Sequence, residues 1–92
     1  MNRKELTAAV AQKTGLYQKE VDQVVGTLIE EIQAQLAKGT TVKIQGLGTF
    51  EVVARAPRTG RDLINGGTVQ VPGRLVPGFK ASRLLKELIE RP

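Results

Sequence analysis

Residues 40–53 read TTVKIQGLGTFEVV, and in this stretch the hydrophobic period of the chain changes from about 3.6 residues to 2. Val42 and Ile44 alternate with polar neighbours before a Gly46-Leu47-Gly48 turn, and Phe50 and Val52 continue the alternation after it. This alternation predicts a β-hairpin with one apolar face. The hairpin is expected to pack on the helices that precede it in the chain.

Two helices are predicted before this hairpin. Asn2 followed by Glu5 is typical of a helix-capping pair, and the first helix is expected to end at Thr14-Gly15. The second helix carries a continuous apolar stripe and is expected to end at Lys38-Gly39, where glycine supplies a C-terminal cap. Its stripe consists of Val21, Val24, Val25, Leu28, Ile29, Ile32 and Leu36.

After the hairpin, residues 54–76 predict a long, basic ribbon. Asn65-Gly66 near its middle is typical of a type I′ turn, and residues 68–71 form a returning strand. Ser82 is then expected to cap a short last helix. The order predicts one α+β domain over residues 1–92, divided into a helical hairpin (1–39), a sheet (40–53), a β-arm (54–76), and a return strand with the C-terminal helix (77–92).

The composition excludes several kinds of chemistry. The 92 residues include 14 Lys and Arg against 9 Asp and Glu, a net charge of +5, with no His and no Cys. Thiolate nucleophiles, Cys/His zinc sites and imidazole catalysis are therefore absent, and no catalytic residue, metal or cofactor is expected. No run of about 18 apolar residues and no leader-like start occur, so an intracellular protein without a membrane span is expected. A chain this short and this poor in aromatic residues is expected to share its core with a second chain.

The positive charge is concentrated in the second half of the chain. Residues 46–92 carry eight positive and four negative charges, and the predicted arm holds Arg55, Arg58, Arg61 and Arg74 against the single Asp62. Arginines at this density repel one another unless an anion lies between them, and phosphate fits the guanidinium fork. A basic ribbon of this kind fits a nucleic-acid duplex, and the 3% aromatic content argues against base-stacking modules.

The sequence resembles the HU and integration-host-factor family of bacterial DNA-bending proteins. The resemblance rests on three stretches: residues 46–52 (GLGTFEV), residues 55–61 (RAPRTGR) and residues 76–80 (VPGFK). It implies an intertwined dimer with a helical-hairpin base, an antiparallel sheet saddle and long β-hairpin arms that enter the minor groove of double-stranded DNA. It implies a homodimer, with a heterodimer possible, in the nucleoid of the bacterial cytoplasm, without a small-molecule substrate.

The resemblance also assigns residues to the interface. The residues implied to contact DNA are Arg3, Arg55, Arg58, Arg61, Arg74, Lys80, Arg83 and Lys86, and those implied in the dimer core are Leu47, Phe50 and Phe79. At the arm tip, where the family usually has Asn-Pro with the proline as a wedge between base pairs, this chain has Asp62 and Leu63. Leu63 is expected either to take the place of the proline wedge or to pack with Ile64 across the hairpin tip.

The sequence is compatible with three functions. The first is a DNA-bending protein with little sequence preference. The second is a sequence-preferring bender of the integration-host-factor type, or a subunit of a heterodimer. The third is a basic RNA-binding protein, for which the arginine ribbon is the support.

Overall fold

The computed structural model describes residues 1–62 and 64–91. The described elements are, in chain order, α1 (Arg3–Thr14), α2 (Gln18–Ala37), β1 (Val42–Ile44), β2 (Gly48–Arg55), β3 (Arg58–Arg61), β4 (Thr68–Val71), β5 (Arg74–Ala81) and α3 (Arg83–Glu90). The chain forms two compact units, Met1–Gln35 and Leu36–Pro92. The predicted α+β class is confirmed.

The first unit contains α1 and nearly all of α2. The Asn2 side chain accepts a hydrogen bond of 2.9 Å from the Glu5 N–H, which caps α1 as the sequence predicts. Gly15 ends the helix with a φ of 76°, a left-handed conformation that favours glycine. The buried side chains of this unit are small, namely Thr7, Ala11 and Val21.

The second unit is built on an antiparallel sheet with the strand order β1-β2-β5. Gly46, with a φ of 86°, makes the turn between β1 and β2. Phe50 lies opposite Val42 on one side and opposite Phe79 on the other. A Cβ on Gly48 would lie 2.6 Å from the Phe79 ring, so this position requires glycine.

The arm is a second ladder, β3 with β4, which continues the register of β2 with β5. Arg55 pairs with Arg74 and Arg58 pairs with Val71. In the interval between these pairs Pro57 comes opposite Pro72, and neither proline can donate a ladder hydrogen bond. The single long hairpin predicted for residues 54–76 is therefore interrupted at its base.

One predicted turn and one predicted helix cap can be compared with the structure. The type I′ turn predicted at Asn65-Gly66 is wrong, because positive φ values occur at Gly66 (74°) and Gly67 (81°) and not at Asn65. The predicted cap of the last helix is confirmed, since the Ser82 hydroxyl accepts a hydrogen bond of 3.1 Å from the Leu85 N–H.

Candidate nucleic-acid interface

The three-stranded sheet has one basic face and one apolar face. Residues directly opposite each other in an antiparallel ladder share a face, and side chains alternate along each strand. The register therefore places one set of residues together on what we call the basic face: Lys43, Thr49, Glu51, Val53, Arg55, Arg74, Val76 and Lys80. It places another set on the apolar face: Val42, Ile44, Phe50, Val52, Leu75 and Phe79. The basic face therefore carries four cations and one carboxylate.

The strongest concentration of charge lies at the root of the arm. Arg55 and Arg74 are direct cross-strand partners, and both line an open cavity of about 480 Å³ together with Arg58. Within residues 1–62 and 64–91 no carboxylate forms an ion pair with any of these three arginines. Like charges opposite each other destabilise a ladder by about 0.2–1 kcal/mol. An anion in this cavity would remove that repulsion, and the planar guanidinium groups match phosphate oxygens.

Arg61 lies apart from this arginine cavity. In the β3–β4 ladder Arg58 and Gly60 share one face, while Thr59 and Arg61 share the other, opposite Gln70 and Thr68. With a period of two, a spacing of three places consecutive arm arginines on alternate faces, so alternation alone would not bring Arg55 and Arg58 together. Both nevertheless line the cavity with Arg74, across the interruption of the ladder at Pro57 and Pro72.

Three of the cations implied by the resemblance are paired with carboxylates. Arg3 Nε lies 3.2 Å from Asp22 Oδ1 in the first unit. In the second unit Lys80 Nζ lies 3.4 Å from Glu51 Oε1, and Arg83 Nε lies 2.9 Å from Glu87 Oε1. Exposed ion pairs contribute about 0–1 kcal/mol, so each cation can exchange its carboxylate for a phosphate at small cost. Lys86 lies on α3.

Lys43 is a candidate residue that the sequence interpretation missed. The register aligns Lys43, Thr49 and Lys80 across the three strands, and Lys43 lines a cavity of about 300 Å³ with Lys80 and Arg83. Both other cations of this cavity have carboxylate partners. The alternation of β1 contained the signal, since Lys43 lies between the apolar residues Val42 and Ile44.

The tip of the arm is closed by Asp62. Its carboxylate accepts hydrogen bonds from the N–H groups of Ile64 (2.9 Å) and Asn65 (3.1 Å). These two bonds, that from Asn65 first, lower the pKa of Asp62 below its ordinary value of 3.8, because they stabilise the ionised form. The carboxylate is therefore ionised at neutral pH. Leu63, the predicted wedge, lies outside the described residues.

The residues predicted for a dimer core lie on or beside the apolar face. The Phe50 and Phe79 rings have centroids 4.9 Å apart and are tilted by 48°. Phe79 is 46% exposed and Leu47 is 41% exposed in the single chain. Aromatic pairs at this distance stabilise by about 0.5–1.5 kcal/mol beyond the area they bury. The pair is formed within one chain, yet part of its surface is uncovered.

Residues 1–62 and 64–91 contain no cluster of three or more acidic side chains arranged to hold a metal ion. Among the helices of those residues, none combines the length and the apolar character needed to cross a membrane.

A basic two-stranded ribbon that fits a DNA groove defines one class of DNA-binding protein, the β-ribbon class, and this chain has such a ribbon. The sequence profile of the family described as bacterial DNA-binding protein matches residues 1–90. The chain belongs to this bacterial DNA-binding protein family, which includes HU and integration host factor.

The similarity covers 98–100% of this chain and 81–100% of the relatives compared. DNA-binding protein HU of Staphylococcus aureus (strain COL) is 41% identical over 90 residues, which cover 98% of this chain and 100% of the relative. Integration host factor subunit alpha of Bordetella pertussis is 37% identical and is covered to 81%, with all of this chain matched. Among solved structures, the Anabaena HU–DNA cocrystal structure has a TM-score of 0.91 at 34% identity, with complete coverage of both chains. HU from Thermotoga maritima has a TM-score of 0.69 at 33% identity, covering 98% of this chain and 100% of that one.

Proposed function

We propose that the chain forms a homodimer that binds double-stranded DNA with little sequence specificity, and that it bends and compacts DNA in the nucleoid of the bacterial cytoplasm. The whole chain, residues 1–92, acts as one DNA-binding domain without catalysis, cofactor or small-molecule substrate. The observation that carries this proposal is the cavity lined by Arg55, Arg58 and Arg74 at the root of the arm. The cocrystal structure of the Anabaena relative with DNA supports it.

The charge distribution supports phosphate as the main ligand. The second unit carries ten Lys and Arg against four Asp and Glu, a net of +6, whereas the first unit has a net of −1. Contacts to phosphate position a protein on DNA but carry no sequence information. A surface whose cations are spread over a sheet face and a ribbon therefore favours binding with little sequence preference.

The arm has the dimensions of a groove-binding element. Asp62 lies seven positions after Arg55, and at about 3.3 Å per residue the ribbon extends about 23 Å from the arginine cavity to the tip. A DNA groove is about 6–12 Å wide. The arm is longer than this width, so it can extend along one groove. We assign the minor groove by resemblance. Arg61 would contact DNA along this path.

The body of the protein would supply further phosphate contacts. The residues proposed for this role are Arg3, Lys43, Lys80, Arg83 and Lys86. Arg3, Lys80 and Arg83 would exchange their carboxylate partners for phosphates when DNA binds. The release of condensed counterions from DNA would then drive binding.

Dimerisation follows from the small core of the single chain. Within residues 1–62 and 64–91 the buried side chains are Thr7, Ala11 and Val21. Large apolar side chains of α2, the sheet and α3 remain exposed, for example Leu28 at 50%, Phe79 at 46% and Leu88 at 53%. A domain of this size needs most of its apolar residues buried to be stable. A second copy of the chain, with Leu47, Phe50 and Phe79 in the shared core, would cover these surfaces.

Binding to three labelled duplexes of equal length tests the proposal: a random DNA sequence, a defined site of the integration-host-factor type, and RNA. We expect similar affinities for the two DNA duplexes, weaker binding to RNA, and log K that falls linearly with log salt. An affinity independent of salt would contradict the mechanism. A large preference for the defined site would instead favour the sequence-preferring type of bender, and a preference for RNA would favour an RNA-binding protein.

Bending requires a separate measurement. A short duplex with a donor dye and an acceptor dye at its ends reports the end-to-end distance when protein is added. We expect the distance to shorten at saturating protein. Binding without shortening would contradict bending and leave coating of the DNA as the role.

A further inference from the structure

The arginine cavity at the root of the arm has apolar walls. Besides Arg55, Arg58 and Arg74, the residues that line it are Ala56, Val71, Pro72, Val76 and Pro77. None of these five side chains carries a hydrogen-bonding group, so within residues 1–62 and 64–91 the polar side chains of the cavity are the three guanidinium groups alone. A ligand that fills the cavity therefore meets positive charge and hydrocarbon together.

Two valines form the best-defined part of the apolar wall. Val71 is half-buried, and its Cγ2 atom would lie 3.3 Å from a Cβ on Gly60, so this methyl group rests against the backbone of the facing strand. Val76 is also half-buried, lies opposite Val53 and shares the basic face with Arg74. Because β-branched side chains are restricted at χ1, this apolar surface is formed before a ligand binds.

A nucleotide of DNA has a composition that matches the cavity. Its phosphate fits guanidinium groups, and its deoxyribose presents hydrocarbon at C2′. The cavity volume of about 480 Å³ lies within the range of about 300–1,000 Å³ found for small-molecule sites, which leaves room for one sugar with its phosphate. In RNA, C2′ carries a hydroxyl that is displayed in the minor groove and can distinguish RNA from DNA. Against the valine wall that hydroxyl would be buried without a side-chain partner.

We propose that the arginine cavity binds a deoxyribose together with its phosphate, and that Val71 and Val76 discriminate against ribose by packing on C2′. The assignment rests on the proposed function, because it requires the root of the arm to lie against the minor groove of a duplex. The guanidinium groups alone would not separate the two nucleic acids, since DNA and RNA have the same phosphates. The valines therefore supply the selectivity, and the arginines supply the affinity.

Three labelled duplexes of matched sequence test the sugar contact: DNA, RNA, and RNA in which fluorine replaces every 2′-hydroxyl. The RNA and the fluorinated duplex are both A-form, so a difference between their affinities reports the hydroxyl and not the shape of the helix. We expect the native protein to bind the fluorinated duplex roughly tenfold more tightly than RNA, as expected when one hydroxyl is buried without a hydrogen bond. Equal affinities would mean that water or a backbone carbonyl satisfies the hydroxyl, and would overturn the inference.

Val71→Thr and Val76→Thr identify the side chains that discriminate. Threonine is close to valine in shape and is also favoured in strands, and the thermal midpoint of each free variant verifies that it folds. Each variant adds a partner for the 2′-hydroxyl, so each should reduce the difference between the two A-form duplexes by roughly threefold, while affinity for DNA should not rise. Val69→Thr is the matched control, because it adds the same hydroxyl to the same strand at a residue that does not line the cavity.

The outcomes distinguish the failure of this inference from that of the proposed function. If the native protein does not bind the DNA duplex, the proposed function is wrong. If it binds DNA with an affinity that falls with salt, yet binds RNA and the fluorinated duplex equally well, the proposed function stands and the sugar contact is wrong. If Val69→Thr reduces the difference as much as Val71→Thr and Val76→Thr do, the discrimination does not arise in the cavity, which also contradicts the inference.

Discussion

Replacing Arg74 by glutamine is the substitution that most directly tests the arginine cavity. Arg74 is the direct cross-strand partner of Arg55, and with Arg58 both line the cavity at the root of the arm. Each lost phosphate contact makes the slope of log K against log salt shallower by about 0.9, so a homodimer with two engaged arms should lose about 1.8. Between 50 and 200 mM salt the native protein should then lose about 12-fold more affinity than the variant.

Fluorescence anisotropy of a labelled random duplex at several salt concentrations measures this slope. Arg91→Gln is a matched control, because it also removes one guanidinium group per chain and lies after α3, outside the cavity. The thermal midpoint of Arg74→Gln should not fall, since the substitution removes a like-charge pair worth about 0.2–1 kcal/mol of repulsion. Equal slopes for Arg74→Gln and Arg91→Gln would refute the assignment of a phosphate to this cavity.

Three further outcomes follow from the sheet and the tip. Phe79→Ala removes a ring of the aromatic pair and should lower the free energy of unfolding by about 3 kcal/mol if the pair is buried in a dimer. Thermal unfolding at several protein concentrations measures this loss, and a midpoint independent of concentration would contradict the dimer. Glu51→Gln frees Lys80 from its 3.4 Å ion pair and removes a carboxylate from the basic face, so it should tighten DNA binding by up to about fivefold, measured by the same titration; weaker binding would contradict a phosphate contact of Lys80. The pKa of Asp62 lies below 3.8, so the loop is stabilised above that pH and loses this contribution as the pH falls through the lowered value. The Ile64 amide proton, followed by NMR, should titrate with that midpoint, whereas a midpoint above 3.8 would contradict the hydrogen bonds.

The helices and the sheet could be predicted from local patterns. Asn2 and Ser82 cap α1 and α3 as their positions indicate, because a capping side chain bonds to N–H groups only three residues away. The alternation of Val42, Ile44 and Phe50 likewise predicts the strands and their apolar face. These features depend only on residues that are close in sequence.

The composition of the arginine cavity could not be predicted in the same way. The charge density of the predicted arm suggested Arg55, Arg58, Arg61 and Arg74 as one group, but Arg61 does not line the cavity, which is formed by Arg55, its ladder partner Arg74, and Arg58. The type I′ turn signal at Asn65-Gly66 was also misleading. The hydrogen bonds of Asp62 stabilise a loop in which the positive φ values occur after Asn65.

The sequence by itself determined that this chain has two capped helices, an alternating hairpin, a basic ribbon and too small a core for one copy. Those properties are local or compositional. Only the tertiary structure decided which cations act together, because a shift of the strand register by one residue would move every side chain to the opposite face. The observed register puts Lys43 in line with Lys80 and Arg55 opposite Arg74, and so turns a basic composition into a basic face.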